Sequence, residues 1–202
     1  MFQRLALSLL LAPAVALGGA PPSTAAGATI EGTVKTAAGA AAADTVVFIQ
    51  HGDGVVAPGA AAKMDQRSMK FTPAVLPIVA GTTVKFLNSD ATQHNVFSPD
   101  YEKYNLGTWP QGQTKERVFA KCAKAPCAYV QLCRIHPEME AYIVVLQNPH
   151  FAVTGADGHY RIEHVPAGAY SLGVWAAKGK APVKPVTADA AKAALIDFVL
   201  AR

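Results

Sequence analysis

Before residue 186 the apolar residues of this chain never hold a helical spacing for long enough to build a helix. They come instead as short alternating or continuous runs cut by Gly, Pro, Asn and Asp. "TIEGTV", "DTVVFIQ", "FTPAVLPIVAGTTVKFLNSD", "HNVFS", "AYVQL" and "EAYIVVLQ" all read as strands. Asp157-Gly158 and Ala167-Gly168 mark turns in an antiparallel meander near the C-terminus. "TADAAKAALIDFVL" is rich in alanine, but "LIDFVL" alternates and is expected to be a final strand. With 202 residues, 51% of them apolar, the chain can bury a substantial core. That core has to be made by stacking sheets, so the expected fold class is all-β, with β-sandwich architecture. "HGDGVVAPGAAAK" reads as a linker between strands.

The first residues bound where such a chain works. Arg4 precedes an apolar run from Leu5 to Leu17, followed by small residues around Ala20 and Ala25. This is the pattern of a secretory leader over 1–26, and its apolar run is too short to span a bilayer. No later run approaches the length of a spanning helix, so a periplasmic or secreted location without a membrane span is expected. Without the leader, 17 basic residues face 14 acidic ones, a net charge of +3. The cations are scattered, which argues against nucleic-acid binding. Three cysteines, Cys122, Cys127 and Cys133, leave one unpaired in an oxidising compartment. "KCAKAPCAY" suits a small loop closed by a Cys122–Cys127 disulfide. A Cys127–Cys133 pair, or two cysteines on one metal, are the competing arrangements.

The chemistry concentrates in "YVQLCRIHPEMEAYIVVL", where two strand-like runs flank Cys133, His136 and Met139 at equal spacing. A lone buried cysteine is usually an inert thiol, and a lone methionine is usually core. Together these three residues make a soft ligand loop, which needs a fourth donor from elsewhere. His94 in "NSDATQHNVFS" is the candidate, placed after a polar turn at the start of a short strand. Two imidazoles and a thiolate make a trigonal set that either copper oxidation state tolerates, with the thioether as a weak axial donor. Such a set changes redox state with little ligand movement. Structural zinc would want a stronger fourth ligand, and the C-x-x-C-H of an attached haem is absent. His51, His150, His159 and His164 lack ligand-type neighbours and are expected to be solvated or turn residues.

The spacing N-x5-H from Asn88 to His94, followed by C-x2-H-x2-M from Cys133 to Met139, resembles the cupredoxin family, and the short ligand loop resembles that of amicyanin. The resemblance covers roughly residues 64–147. It implies a Greek-key sandwich with one type 1 copper held by His94, Cys133, His136 and Met139. It further implies that Asn88 ties the ligand loop to the neighbouring strand, as outer-shell residues do. The cysteine-bearing insert "KCAKAPCAY" departs from that pattern. Residues 27–63 and 148–202 resemble the two halves of a carboxypeptidase regulatory-like, prealbumin-like sandwich that the copper domain would interrupt.

The function these readings imply is one-electron transfer by an exported blue copper protein, without enzymatic activity and as a monomer. Its partner would be a transient redox protein, such as a c-type cytochrome or a periplasmic dehydrogenase. The alternatives are a copper carrier or storage protein, or a structural or carbohydrate-binding sandwich with an accessory metal site.

Overall fold

The computed structural model describes residues 27–50, 57–120, 122 and 124–202; the leader-like segment 1–26 and the first part of the glycine-rich linker, including His51, lie outside the described residues. The protein is all-β, and no helix occurs among the described residues, so none is long and apolar enough to cross a membrane. Its strands form four sheets. The first places β13 (His159–Val165), β1 (Ala28–Thr36) and β16 (Ala194–Leu195) side by side, with β17 (Phe198–Leu200) also paired to β1. The second runs β12 (Phe151–Val153), β2 (Val46–Ile49), β14 (Gly168–Trp175), β15 (Lys184–Ala188). The third runs β5 (Val75–Val79), β11 (Glu140–Leu146), β10 (Cys127–Leu132), β7 (His94–Ser98), β8 (Tyr104–Trp109). The fourth runs β4 (Lys70–Thr72), β3 (Ala62–Arg67), β6 (Thr83–Asn88), β9 (Thr114–Val118). The C-terminal "LIDFVL" is indeed extended, as the two short strands β16 and β17 rather than one.

Three apolar layers separate the four sheets. Ile30, Val47, Ile49, Tyr160, Leu172 and Phe198 fill the space between the first pair. Met64, Phe86, Val96, Trp109, Tyr129 and Ile143 fill the space between the second pair. The layer in the middle joins the two pairs: Val46 and Phe48 of β2 meet Val75, Val144 and Leu146. Strand parity explains the sequence. Along β2, Val47 and Ile49 face one core while Val46 and Phe48 face the next, so all four residues are buried. β11 does the same, with Ala141, Ile143 and Val145 on one side and Val144 and Leu146 on the other. Continuous apolar runs such as "VVFI" and "IVVL" are therefore strands without a solvent face. Tyr142 and Trp175 extend the middle layer, with ring centroids 5.1 Å apart.

The chain passes from the third sheet to the second through Asn148, whose buried side chain donates to the Ile49 carbonyl at 2.8 Å. Each side chain buried in the middle layer contributes about 1.5–3 kcal/mol. Phe48→Ala should therefore destabilise the whole protein by about 3–5 kcal/mol. In urea unfolding followed by tryptophan fluorescence and circular dichroism, both probes should move together to lower midpoint. Independent unfolding of the two halves would contradict a shared middle core.

Candidate metal centre

The end of the third and fourth sheets that carries His94 is built from polar residues on inward-facing strand positions. β6 alternates with Val84, Phe86 and Asn88 pointing in. A buried amide must be bonded, and Asn88 is: its Nδ2 donates to the carbonyls of Thr92 at 2.9 Å and Trp109 at 3.0 Å. Its Oδ1 accepts from the Asp90 amide at 2.9 Å. These three bonds fold the 89–93 turn and deliver His94 to the first position of β7. Asn88 thus braces the segment that leads to His94 rather than the loop 133–139. The expectation for its role is corrected accordingly: it lies on the inner face of β6, where Thr92 and Trp109 are the carbonyls it meets.

His94 is fully buried, and its Nε2 lies 2.8 Å from Asp90 Oδ2. The same carboxylate accepts the amides of Ser68 at 2.6 Å and Met69 at 3.0 Å. Those two residues form the β3–β4 turn at φ of 53° and 58°, a conformation non-glycine residues rarely adopt. Partial burial pushes the Asp90 carboxyl up, but the Met69 and Ser68 amides and the His94 ring outweigh it and hold it below its ordinary value. An ionised Asp90 accepts the Nε2 proton of His94. That fixes the tautomer and leaves Nδ1 as the lone-pair donor.

Nδ1 of His94 stands 3.0 Å from Nδ1 of His136, and His136 Nδ1 stands 3.8 Å from Cys133 Sγ. The three residues form a cluster whose ligand atoms all lie within 4.8 Å of one another. The strands explain how. On β10, Cys127, Tyr129 and Gln131 face the core, and the same parity carries Cys133, the next residue after the strand, inward with 4% exposure. Met139 immediately precedes β11, shares the inner face of Ala141 and Ile143, and is buried in the same core as Cys133. Its amide donates to the His136 carbonyl at 3.0 Å, closing the loop into a turn. His136, at the loop's centre, is half-buried and is the side of the cluster nearest solvent.

Two of the three separations in the donor set have the size that one ion requires. Nitrogens bound at about 2.0–2.1 Å cannot be more than about 4 Å apart, nor a nitrogen and a sulfur at about 2.3 Å more than about 4.4 Å. The 3.0 Å and 3.8 Å separations fall inside those limits.

Two contributions were not foreseen in the sequence. Asp90, in the polar turn before His94, is the partner of the His94 ring. Asn95 donates its backbone N–H to Cys133 Sγ at 3.4 Å, and its Oδ1 accepts the Arg134 amide at 3.4 Å. Its Nδ2 donates to Asn105 Oδ1 and the Gly107 carbonyl, both at 2.8 Å. Asn95 is therefore the side chain that reaches the ligand loop. An aspartate four residues before a histidine in a loop carries no contact signal, and an asparagine next to the ligand carries none either. Cys122 and Cys127 form a disulfide, and Cys133 is the free, buried thiol. Trp109 is core, 1% exposed, and pairs with His94 across β7 and β8.

No protein-family model matches this chain, and no curated protein does. Solved structures do match. A copper-containing nitrite reductase from Thermus scotoductus SA-01 is 26% identical over 50% of this chain, with a TM-score of 0.40; the match spans 25% of the reductase. A purple cupredoxin from Nitrosopumilus maritimus is 25% identical over 42% of this chain and 98% of its own, with a TM-score of 0.36. The Cu(I) form of an amicyanin mutant is 22% identical over 49% of this chain and 97% of its own, with a TM-score of 0.38.

If Asp90 sets the His94 tautomer, Asp90→Ala should weaken Co(II) binding about 10–100-fold. The measurement is a competition titration, with the circular dichroism spectrum confirming the fold. Unchanged affinity in a folded variant would remove Asp90 from the site.

Proposed function

We propose that this chain is an exported mononuclear copper protein that carries one electron at a time between redox partners. The observation that supports it is the convergence of two imidazole nitrogens and one thiol at a strand end, with the His94 ring held by Asp90 and the Cys133 sulfur met by the Asn95 amide. His94, Cys133 and His136 would hold the copper, with Met139 as the weak axial donor, in a type 1 site with one copper per chain. Copper bound there supplies a one-electron couple whose ligands suit both oxidation states. The protein's part is to keep those ligands still. Asp90 orients His94, Asn88 shapes the turn before it, and Asn95 ties strand β7 to the ligand loop. Four protein donors leave no open position for a substrate, so the reading is a carrier and not an enzyme.

In this proposal residues 64–147 are the copper domain. Residues 27–63 and 148–202 close into the prealbumin-like sandwich packed behind it, and 1–26 direct export to the periplasm or beyond. The half-buried His136 would face a c-type cytochrome or dehydrogenase in a small, transient contact made by a monomer.

One equivalent of Cu(II) added to the mature protein should produce an intense visible thiolate-to-copper band and a narrow-hyperfine electron spin resonance spectrum. Cys133→Ser should abolish the band. Met139→Ala should retain it while changing the reduction potential in voltammetry. Copper bound without colour, or a site that takes only zinc, would reject the type 1 assignment.

A further inference from the structure

We propose that the recess beside Arg134 is a docking site for a carboxylate on the surface of the redox partner, an inference that rests on the carrier function above. The recess is a cavity of about 360 Å³ whose lining includes Phe97, Ser98, Lys103, Tyr104, Asn105 and Arg134. It contains two cations and no carboxylate. The acids nearest in the chain are committed elsewhere. Asp100 accepts the Val130 amide at 2.8 Å, and Glu102 pairs with Arg117 at 2.8 Å. Lys103 and Arg134 have no ion-pair partner among the described residues.

The Arg134 side chain and the Lys103 backbone are held in place. The Arg134 guanidinium lies 5.1 Å from the centre of the Phe97 ring, and its backbone is tied to Asn95. Lys103 has a φ of 36°, and its amide donates to the Asp100 carbonyl at 2.9 Å, which fixes the turn that presents it. The neutral polar groups of the wall are occupied: the Tyr104 hydroxyl donates to Gln131 Oε1 at 2.5 Å, and Ser98 Oγ accepts the Asp100 amide at 3.3 Å. The two charged groups are without an ion-pair partner among the described residues, and such N–H donors select an anion, the planar guanidinium one with paired oxygens such as a carboxylate.

The location says which anion. Arg134 directly follows Cys133, so a group bound here sits one residue from the thiol of the metal cluster. The next residue, Ile135, is 47% exposed, and Pro137 beyond His136 is exposed as well. An apolar surface next to fixed charge matches the core and rim of a protein contact. A free small anion would leave Ile135 uncovered. The positive net charge of the chain favours attraction of an acidic partner and a rate that falls with salt.

The test uses hexaglutamate as the probe and the isotope-labelled apo- and Cu(I)-proteins. At about 10 mM salt, where screening is weak, the peptide should shift the amide resonances of Lys103, Asn105 and Arg134. Lys103→Gln and Arg134→Gln should each weaken binding by about fivefold or more, with Glu138→Gln causing no loss. Electron exchange of the copper protein with anionic hexacyanoferrate(III) should slow in the same two variants, while exchange with a cationic cobalt phenanthroline complex should not. Shifts confined to other surfaces, or unaltered binding in both variants, would overturn the proposal. Displacement of the peptide by equimolar inorganic phosphate would overturn it in favour of a free-anion site. Failure of the copper reading looks different: no charge-transfer band, with the peptide shifts intact.

Discussion

The ligand loop depends on a strand that has no solvent face. β11 lies between two apolar layers, with Ile143 and Val145 in one and Val144 and Leu146 in the other. A slip of one residue would exchange the two sets and place every side chain in the wrong core. Parallel pairing to β5 and antiparallel pairing to β10 hold the register on both edges. Because parity is fixed along β11, Met139 just before it must point inward with Ala141. Because parity is fixed along β10, Cys133 just after it must point inward with Gln131. Cys133 and Met139 are thus placed by the packing of the strands on either side of the loop. His136, midway between them, lies nearer the surface.

The other histidine is placed by a different means. Around His94 the inward positions are polar, and burial of Asn88, His94 and Asn95 would be costly if any were left unbonded. Each bond that prevents this also positions a segment. Asn88 closes the turn before His94, and Asp90 links the ring to the Ser68-Met69 turn. Asn95 joins β7 to β8 and to the ligand loop. Apolar packing sets the distance between sheets, whereas these directional bonds set the angles of the donors within them.

How much of this was legible follows from which interactions are periodic. Strand alternation is written in the order of residues, so β7, β10 and β11 could be read directly; the C-terminal strands could be read too, but not their pairing, because β12 and β14 flank β2 and β13 pairs with β1 instead of forming the expected meander. The members of the cluster could be picked out because Cys133 and His136 are near each other in sequence and His94 follows a polar turn, and the structure brings these three together. The double burial of β2 and β11 was readable only as continuous apolar runs. Nothing in those runs says that the outer face of one sandwich is the partner of the other, because a buried face looks the same whatever covers it. The roles of Asp90 and Asn95 were hidden for another reason. They depend on hydrogen bonds across folded turns, such as Asp90 to Met69 over 21 positions, and no local spacing encodes them.

The odd cysteine completes the account of the site. Cys127 and Cys133 stand at the two ends of the same face of β10, with Tyr129 and Gln131 between them. Six residues of extended chain separate them by about 20 Å, far beyond the Cα separation of about 7 Å that a disulfide permits. Pairing them would require the central strand of the sheet to come apart. Cys122 can meet Cys127 because the loop before β10 brings their Cα atoms to 5.6 Å. The bridge therefore consumes the two thiols that lie off the metal end, while the third is shielded by burial and by strand length. A thiol so protected can share a chain with a disulfide and remain free, with the Asn95 amide 3.4 Å and His136 Nδ1 3.8 Å from its sulfur.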